Sequence, residues 1–167
     1  MLERSTERNL YHISLVREQL HHFYDYPGLE NSEIDKRAEL HDASKFFENE
    51  KHAYACLTFF YDQKKSNPAY VLPRLVESMV SEGIEKHSLI NTHHPEAHFD
   101  INQMPLIDLV EMVCDWTAIA IENCGPNATA RTWASDNLNK KWKFNSENQN
   151  LIFNLIDELD HKRGLYE

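Results

Sequence analysis

Glycine is scarce, at four of 167 residues, and no stretch alternates apolar and polar residues convincingly enough to read as a strand. Cysteine is equally sparse. The three thiols, Cys56, Cys114 and Cys124, form no C-x-x-C pair and are odd in number, which excludes a disulfide framework and a zinc ribbon and leaves reduced, packed thiols as the expectation. No run approaches the roughly 18 apolar residues of a spanning helix, and the opening MLERSTERNLYH carries no apolar signal core. A cytoplasmic protein that meets no membrane is expected. Basic residues are outnumbered, with 17 Lys and Arg against 27 Asp and Glu and a formal charge of −10. That balance excludes partners whose binding depends on neutralising many phosphates along a polymer, long nucleic acids above all. A small phosphorylated ligand stays compatible, because a bound cation with one or two local Lys or Arg reverses the field inside a cleft.

What is present is an ordinary globular composition, 41% hydrophobic and 26% charged. A single domain over residues 1–167 is expected, and a chain of this size buries roughly 68–70% of its unfolded surface. Apolar residues recur at three- and four-residue intervals, so the spacing predicts six to seven helices joined by short polar connections. The first covers about 5–24 with Leu10, Ile13, Val16, Leu20 and Phe23 as its apolar set, and Tyr26-Pro27-Gly28 stops it. A second begins at Asn31 or Ser32 and contains Ile34, Ala38 and His41; a third covers about 50–61, with Lys64-Lys65-Ser66-Asn67-Pro68 as a connection. A long helix over about 73–91 opens on Pro73, and His93-His94-Pro95 ends it. Pro105 opens a strongly apolar helix reaching Asn123, closed by Cys124-Gly125-Pro126-Asn127; a shorter one follows over about 129–139. The last begins at a capping box, Ser146-x-x-Gln149, and carries Leu151, Ile152, Leu155, Ile156 and Leu159.

The chemistry-bearing residues are histidines and acids. His41-Asp42, in HDASKFFENE, is an adjacent imidazole and carboxylate that can both reach one divalent ion from a helix end; the alternative is a surface cap. On a helical projection His12 falls between Leu15 and Leu20 and points inward, as a ligand or as a core histidine bonded to backbone, whereas His21 points nearly the opposite way. His87 shares a face with Val76, Val80 and Ile84. His87, Asn91 and His94 are spaced i, i+4, i+7 and share one side if the helix persists to Pro95. Asp115 lies opposite the apolar stripe of its helix (Leu106, Val110, Val113, Thr117, Ala120), so periodicity alone reads it as exposed. With Asp108, Glu111 and Glu122 it forms an acidic strip that fits a solvent face and a metal-lined cleft equally. Trp116 and Trp133 read as packing residues.

The order His, then His-Asp, then a distant Asp on three helices resembles the HD-domain phosphohydrolase superfamily. That resemblance implies an all-α, HD-type helical bundle in which His12, His41, Asp42 and Asp115 bind one metal. More closely, HDASKF, HHPE, MPLIDLVEMVCDWTA and KWKF resemble a group of HD-like proteins found in phages and bacteria and described only as a domain of unknown function, and the likeness covers nearly the whole chain. HD proteins with further histidines between the pair and the last Asp carry two metals bridged by the HD aspartate. By that resemblance His87 and one or both of His93 and His94 hold a second ion. The chain differs from the cyclic-dinucleotide phosphodiesterases of the superfamily in bunching its histidines and in lacking a GYP signature.

The resemblance implies a metal-dependent phosphohydrolase acting on a small phosphorylated ligand, a nucleotide, through one or two divalent ions (Mn, Fe, Co, Ni, Zn or Mg) that acidify a water for in-line attack on phosphorus. Asp42 would hold the ions, and Lys45, which resembles the HDxGK lysine, would contact a phosphate oxygen unless it is a solvated helix-end lysine. Glu111, one turn before Asp115, would orient a ligand or a water. Two other classes stay open: an HD-type di-iron oxygenase, and a non-catalytic nucleotide- or protein-binding phage module. Pairing into a homodimer through helices fits the superfamily.

Overall fold

Apolar side chains repeating every third or fourth residue make a helix amphipathic, and the only stable use of such a stripe is to bury it against another. The computed structural model, which describes residues 1–166 apart from the side chain of Asn49, does this with seven helices: α1 (Leu2–His21), α2 (Asn31–Leu40), α3 (Glu48–Ser66), α4 (Arg74–Ile90), α5 (Leu106–Cys124), α6 (Arg131–Asn137) and α7 (Ser146–Lys162). Single 3-10 turns at Ala43–Phe46, Pro95–Ala97 and Ile101–Gln103 fill the connections. No strand forms among the described residues; an isolated bridge joins Leu138 to Trp142.

α5 is the central post. Every residue from Ile107 to Ala118 is buried, because α1 and α2 cover one side and α7 another. The main core joins Val16, Leu20 and Phe23 to Ile34, Val110, Val113, Ile152, Leu155, Ile156 and Leu159, each fully buried aliphatic side chain being worth roughly 1.5–3 kcal/mol. α4 sits outside this post and packs on α3. Gly83 permits the contact, since a Cβ there would lie 2.3 Å from the Ala53 Cβ. Among the described residues no helix is long and apolar enough to cross a membrane.

Several expectations shift. α1 starts and ends three residues earlier than expected, and Leu10 of its presumed apolar set is exposed. α3 runs on to Ser66, so Lys64 and Lys65 are helical rather than in a connection. The side chain of Asn145 caps α7 by accepting from the Asn148 N–H; Gln149 instead donates to Asn139 and to the Phe144 carbonyl, so no Ser146 capping box forms. Ile84 faces solvent. Of the thiols only Cys114 is buried, Cys56 being half-buried and Cys124 exposed. Trp116 stacks on Trp142 at 5.6 Å and 13° inside the core, whereas Trp133 is 47% exposed and is not a packing residue.

Candidate metal centre

Two helix ends make the cluster possible. α2 stops at Leu40, His41 turns out of the helix at ψ 125°, and Asp42 adopts the left-handed conformation at φ 56°, ψ 16°. Two successive residues, which a continued helix would splay about 100° apart, are thereby aimed into one buried space. α4 stops at Ile90, and Asn91 leaves the helix at φ −98°, ψ 113°. The helix therefore does not persist to Pro95. The turn that follows still brings His93 and His94 beside His87, with ring centroids 6.2 Å and 5.0 Å from it.

The structure brings together all seven histidines and acids singled out as ligands. His12, His41, Asp42 and Asp115 form one donor set, and Asp42, His87, His93 and His94 a second, each with donor atoms within 4.8 Å of one another. Asp42 belongs to both and divides its oxygens between them. Oδ2 lies 3.6 Å from His12 Nε2 and 3.5 Å from His41 Nε2. Oδ1 lies 3.0 Å from His87 Nε2 and 3.7 Å from His93 Nε2. Asp115, read as exposed from periodicity alone, is buried. Its Oδ1 pairs with His12 Nε2 at 2.9 Å and lies 3.7 Å from His41 Nε2. The acidic strip of α5 is the inner face of this cleft, hidden because α5 is covered on more than one side.

Each inward Nε2 has a carboxylate behind it for three of the rings. His12 Nδ1 pairs with Glu122 at 2.7 Å, His41 Nδ1 with Glu111 at 2.8 Å and His87 Nδ1 with Glu50 at 2.8 Å. A carboxylate at Nδ1 favours a proton on that nitrogen and turns Nε2 toward Asp42 or Asp115, the orientation a metal ligand needs. Ser44 donates to Glu50 at 3.0 Å, and Asn91 Nδ2 reaches Ser44 Oγ at 3.0 Å. Glu50 and Ser44 were not anticipated; Glu50 shares the first turn of α3 with the exposed Glu48, and it is buried where it meets His87 of α4.

Protonation follows from burial opposed by charge. Burial alone would push the His41 imidazole down, but Asp42, with Asp115 and Glu111, carries it up to about 10. Burial likewise opposes the rise at His12, and Asp115 and Glu122 outweigh it. Burial raises Asp42, yet His41 and Lys45 hold it well below the usual carboxylate range; His12 and His41 do the same for Asp115. His94, shut from water beside His93, falls to about 3.

The fit to a metal can be tested on buried atoms. His41 Nε2, Asp42 Oδ1, His93 Nε2 and His94 Nε2 are buried with no hydrogen-bond partner, so the 3.0 Å approach of His87 to Asp42 Oδ1 lacks hydrogen-bond alignment. Orphaned buried polar atoms are costly, on the order of 1–3 kcal/mol each, and four of them converge here. Divalent ions would satisfy all four at once, and an all-N and O donor set would suit Mn, Fe, Co, Ni, Zn and, less well, Mg.

Lys45 is neither free nor solvated. Its Nζ pairs with Asp42 Oδ2, and the ammonium lies 4.7 Å from the Tyr54 ring centroid. Glu111 pairs with His41 Nδ1, on the side of that ring away from Asp42, and with His41 and His93 it forms a third group of possible donors. Beside the cluster a cleft of about 610 Å³ opens between α2 and the end of α4, lined by His41, His93 and Glu111 on its inner side and by Lys36 and Arg37 nearer the surface.

Residues 1–158 match a family described as a family of unknown function, DUF5662. No curated protein and no solved structure matches the chain.

Proposed function

The chain belongs to the DUF5662 family, and on the geometry of its cluster we propose that it is a cytoplasmic, metal-dependent phosphohydrolase of HD type acting on a small phosphorylated ligand, a nucleotide. One observation carries this reading: Asp42 splits its two oxygens between two sets of inward-facing imidazoles, the arrangement expected of a carboxylate bridging two ions. Bound there, divalent ions would supply an acidified water and charge stabilisation at phosphorus.

The chain's own residues supply the rest. His12, His41 and Asp115 would hold one ion and His87, His93 and His94 the other, with Asp42 common to both groups. Lys45, drawn to Asp42, is placed to turn to a phosphate oxygen once the carboxylate is otherwise neutralised. The neighbouring cleft, at about 610 Å³, is of the size that holds drug-sized ligands; Lys36 and Arg37 line it together with Glu30, Glu33 and Glu111, and Arg37 is paired with Glu111 and Asp108.

The reading is tested by metal analysis of purified wild type and Asp42→Ala, followed by a metal-supplemented screen against nucleoside monophosphates, deoxynucleoside triphosphates and cyclic nucleotides. Wild type should carry metal that Asp42→Ala lacks and should release phosphate or nucleoside. Equal metal in both proteins rejects the centre. The absence of thiolate from either donor set also suits a di-iron oxygenase; oxygen uptake by iron-loaded protein, without phosphate release, would select that reading.

A further inference from the structure

Among the carboxylates behind the histidines, Glu111 differs from the other two. Glu122 serves the ring of His12 and Glu50 the ring of His87. Glu111 Oε1 pairs with His41 Nδ1 at 2.8 Å and lies 3.4 Å from His93 Nδ1. Those two rings belong to different four-residue donor sets, and with Glu111 itself they form a third, three-residue group of possible donors. They face each other with centroids 4.6 Å apart, and their far nitrogens approach opposite oxygens of Asp42, His41 at 3.5 Å from Oδ2 and His93 at 3.7 Å from Oδ1. The four residues close a circuit: Asp42 spreads two oxygens to two rings, and one oxygen of Glu111 gathers the same two rings from behind.

Glu111 is itself held. Its Oε2 accepts from Arg37 Nη1 at 3.0 Å, and the same nitrogen reaches Thr92 Oγ1 and Asp108 Oδ1, each at 2.7 Å. Thr92 adjoins His93 in the chain and donates to Asp108 at 2.8 Å. Arg37 thus ties α2, the turn bearing His93 and α5 to one carboxylate. We propose that Glu111 is a positioning residue shared by both ion positions, so that one side chain sets the ligand strength of His41 and His93 together. The proposal rests on reading the cluster as a metal centre.

The physical reason is that an imidazole donating its Nδ1–H to a carboxylate keeps the Nε2 lone pair free and becomes a stronger ligand. Replacing Glu111 by Gln leaves a neutral, weaker acceptor for both rings at once. Replacing Glu50 or Glu122 by Gln weakens one ring of one set.

The test is a Zn²⁺ titration of metal-stripped protein against a chromophoric chelator, for wild type, Glu111→Gln, Glu50→Gln and Glu122→Gln. Wild type should bind zinc in two steps. Glu111→Gln should lower the affinity of both steps, by the roughly 10–100-fold typical of lost outer-shell partners, whereas each of the other variants should lower only one. Imidazole ¹⁵N spectra of zinc-loaded wild type, which need no variant to fold, should show His41 and His93 both protonated at Nδ1. The proposal is overturned if Glu111→Gln moves one step or neither, or if His93 carries its proton on Nε2. If wild type takes up no zinc, the metal-centre reading fails first and this proposal with it.

Discussion

The imidazole of His12 and the carboxylate of Asp115 meet at 2.9 Å, although 103 positions separate them in the chain. The pair joins α1 to α5, so the first donor set exists only once the bundle has closed. His12→Ala should therefore reduce bound metal to the position around His87, His93 and His94, while His87→Ala should spare the position around His12. Metal-to-protein ratios by elemental analysis check both outcomes; loss of all metal from either variant would show that the two positions are not separable.

Gly83 lets α4 lie against α3, and the same contact sets the spacing of the second donor set. Glu50 lies one turn before Ala53, and His87 lies one turn after Gly83. Gly83→Ala must push the helices apart or strain them, an overpacking cost of about 1–3 kcal/mol. It should also lengthen the Glu50–His87 contact and weaken the second ion position while leaving the first intact. Thermal denaturation and a two-step metal titration of this variant would register the two effects independently.

Two tryptophans that look alike in the sequence should respond oppositely. Trp142 stacks on Trp116 and donates its Nε1–H to Glu96 at 3.1 Å, so Trp142→Ala should cost about 3–5 kcal/mol. Trp133 is half exposed, and Trp133→Ala should stay within about 0.5 kcal/mol of wild type. Urea denaturation measures both.

Without metal, the acids around His41 hold a proton on it up to about pH 10. An imidazole whose pKa is raised on folding stabilises the fold fully below its unfolded value of about 6.5, and that contribution is lost as pH rises through the folded value. Metal-stripped protein should therefore melt at progressively lower temperature between pH 6.5 and 10. Metal loading should release protons and tighten with pH over the same range. Calorimetry in buffers of different ionisation enthalpy counts those protons; a count of zero at neutral pH would contradict the charge state assigned to His41.

Much of the bundle was readable because its helices are long and bounded by Pro, Gly and Asn. His12 was readable as inward because α1 has a single buried stripe. Asp115 was not. The rule that assigns one face to the core fails for a helix packed on several sides, and α5 buries acids and aliphatics alike from Ile107 to Ala118. Glu50 and Arg37 escaped notice for a related reason: nothing local distinguishes a buried acid or guanidinium from a solvated one until its partner, 37 residues away for Glu50 and 74 for Arg37, is known. Helical spacing put His94 on the side of His87, and only the resemblance pointed to His93; a turn after Ile90 brings both rings there.

The left-handed backbone at Asp42 narrows the residues this position can accept before any chemistry is considered. Only glycine, asparagine and aspartate enter that region readily. A saturation library at codon 42, sorted merely for soluble expression, should fill with those three. If the same library is then sorted for retained metal, aspartate alone should survive, so that the shape of the main chain and the demand of the ligand act as two successive sieves on one side chain.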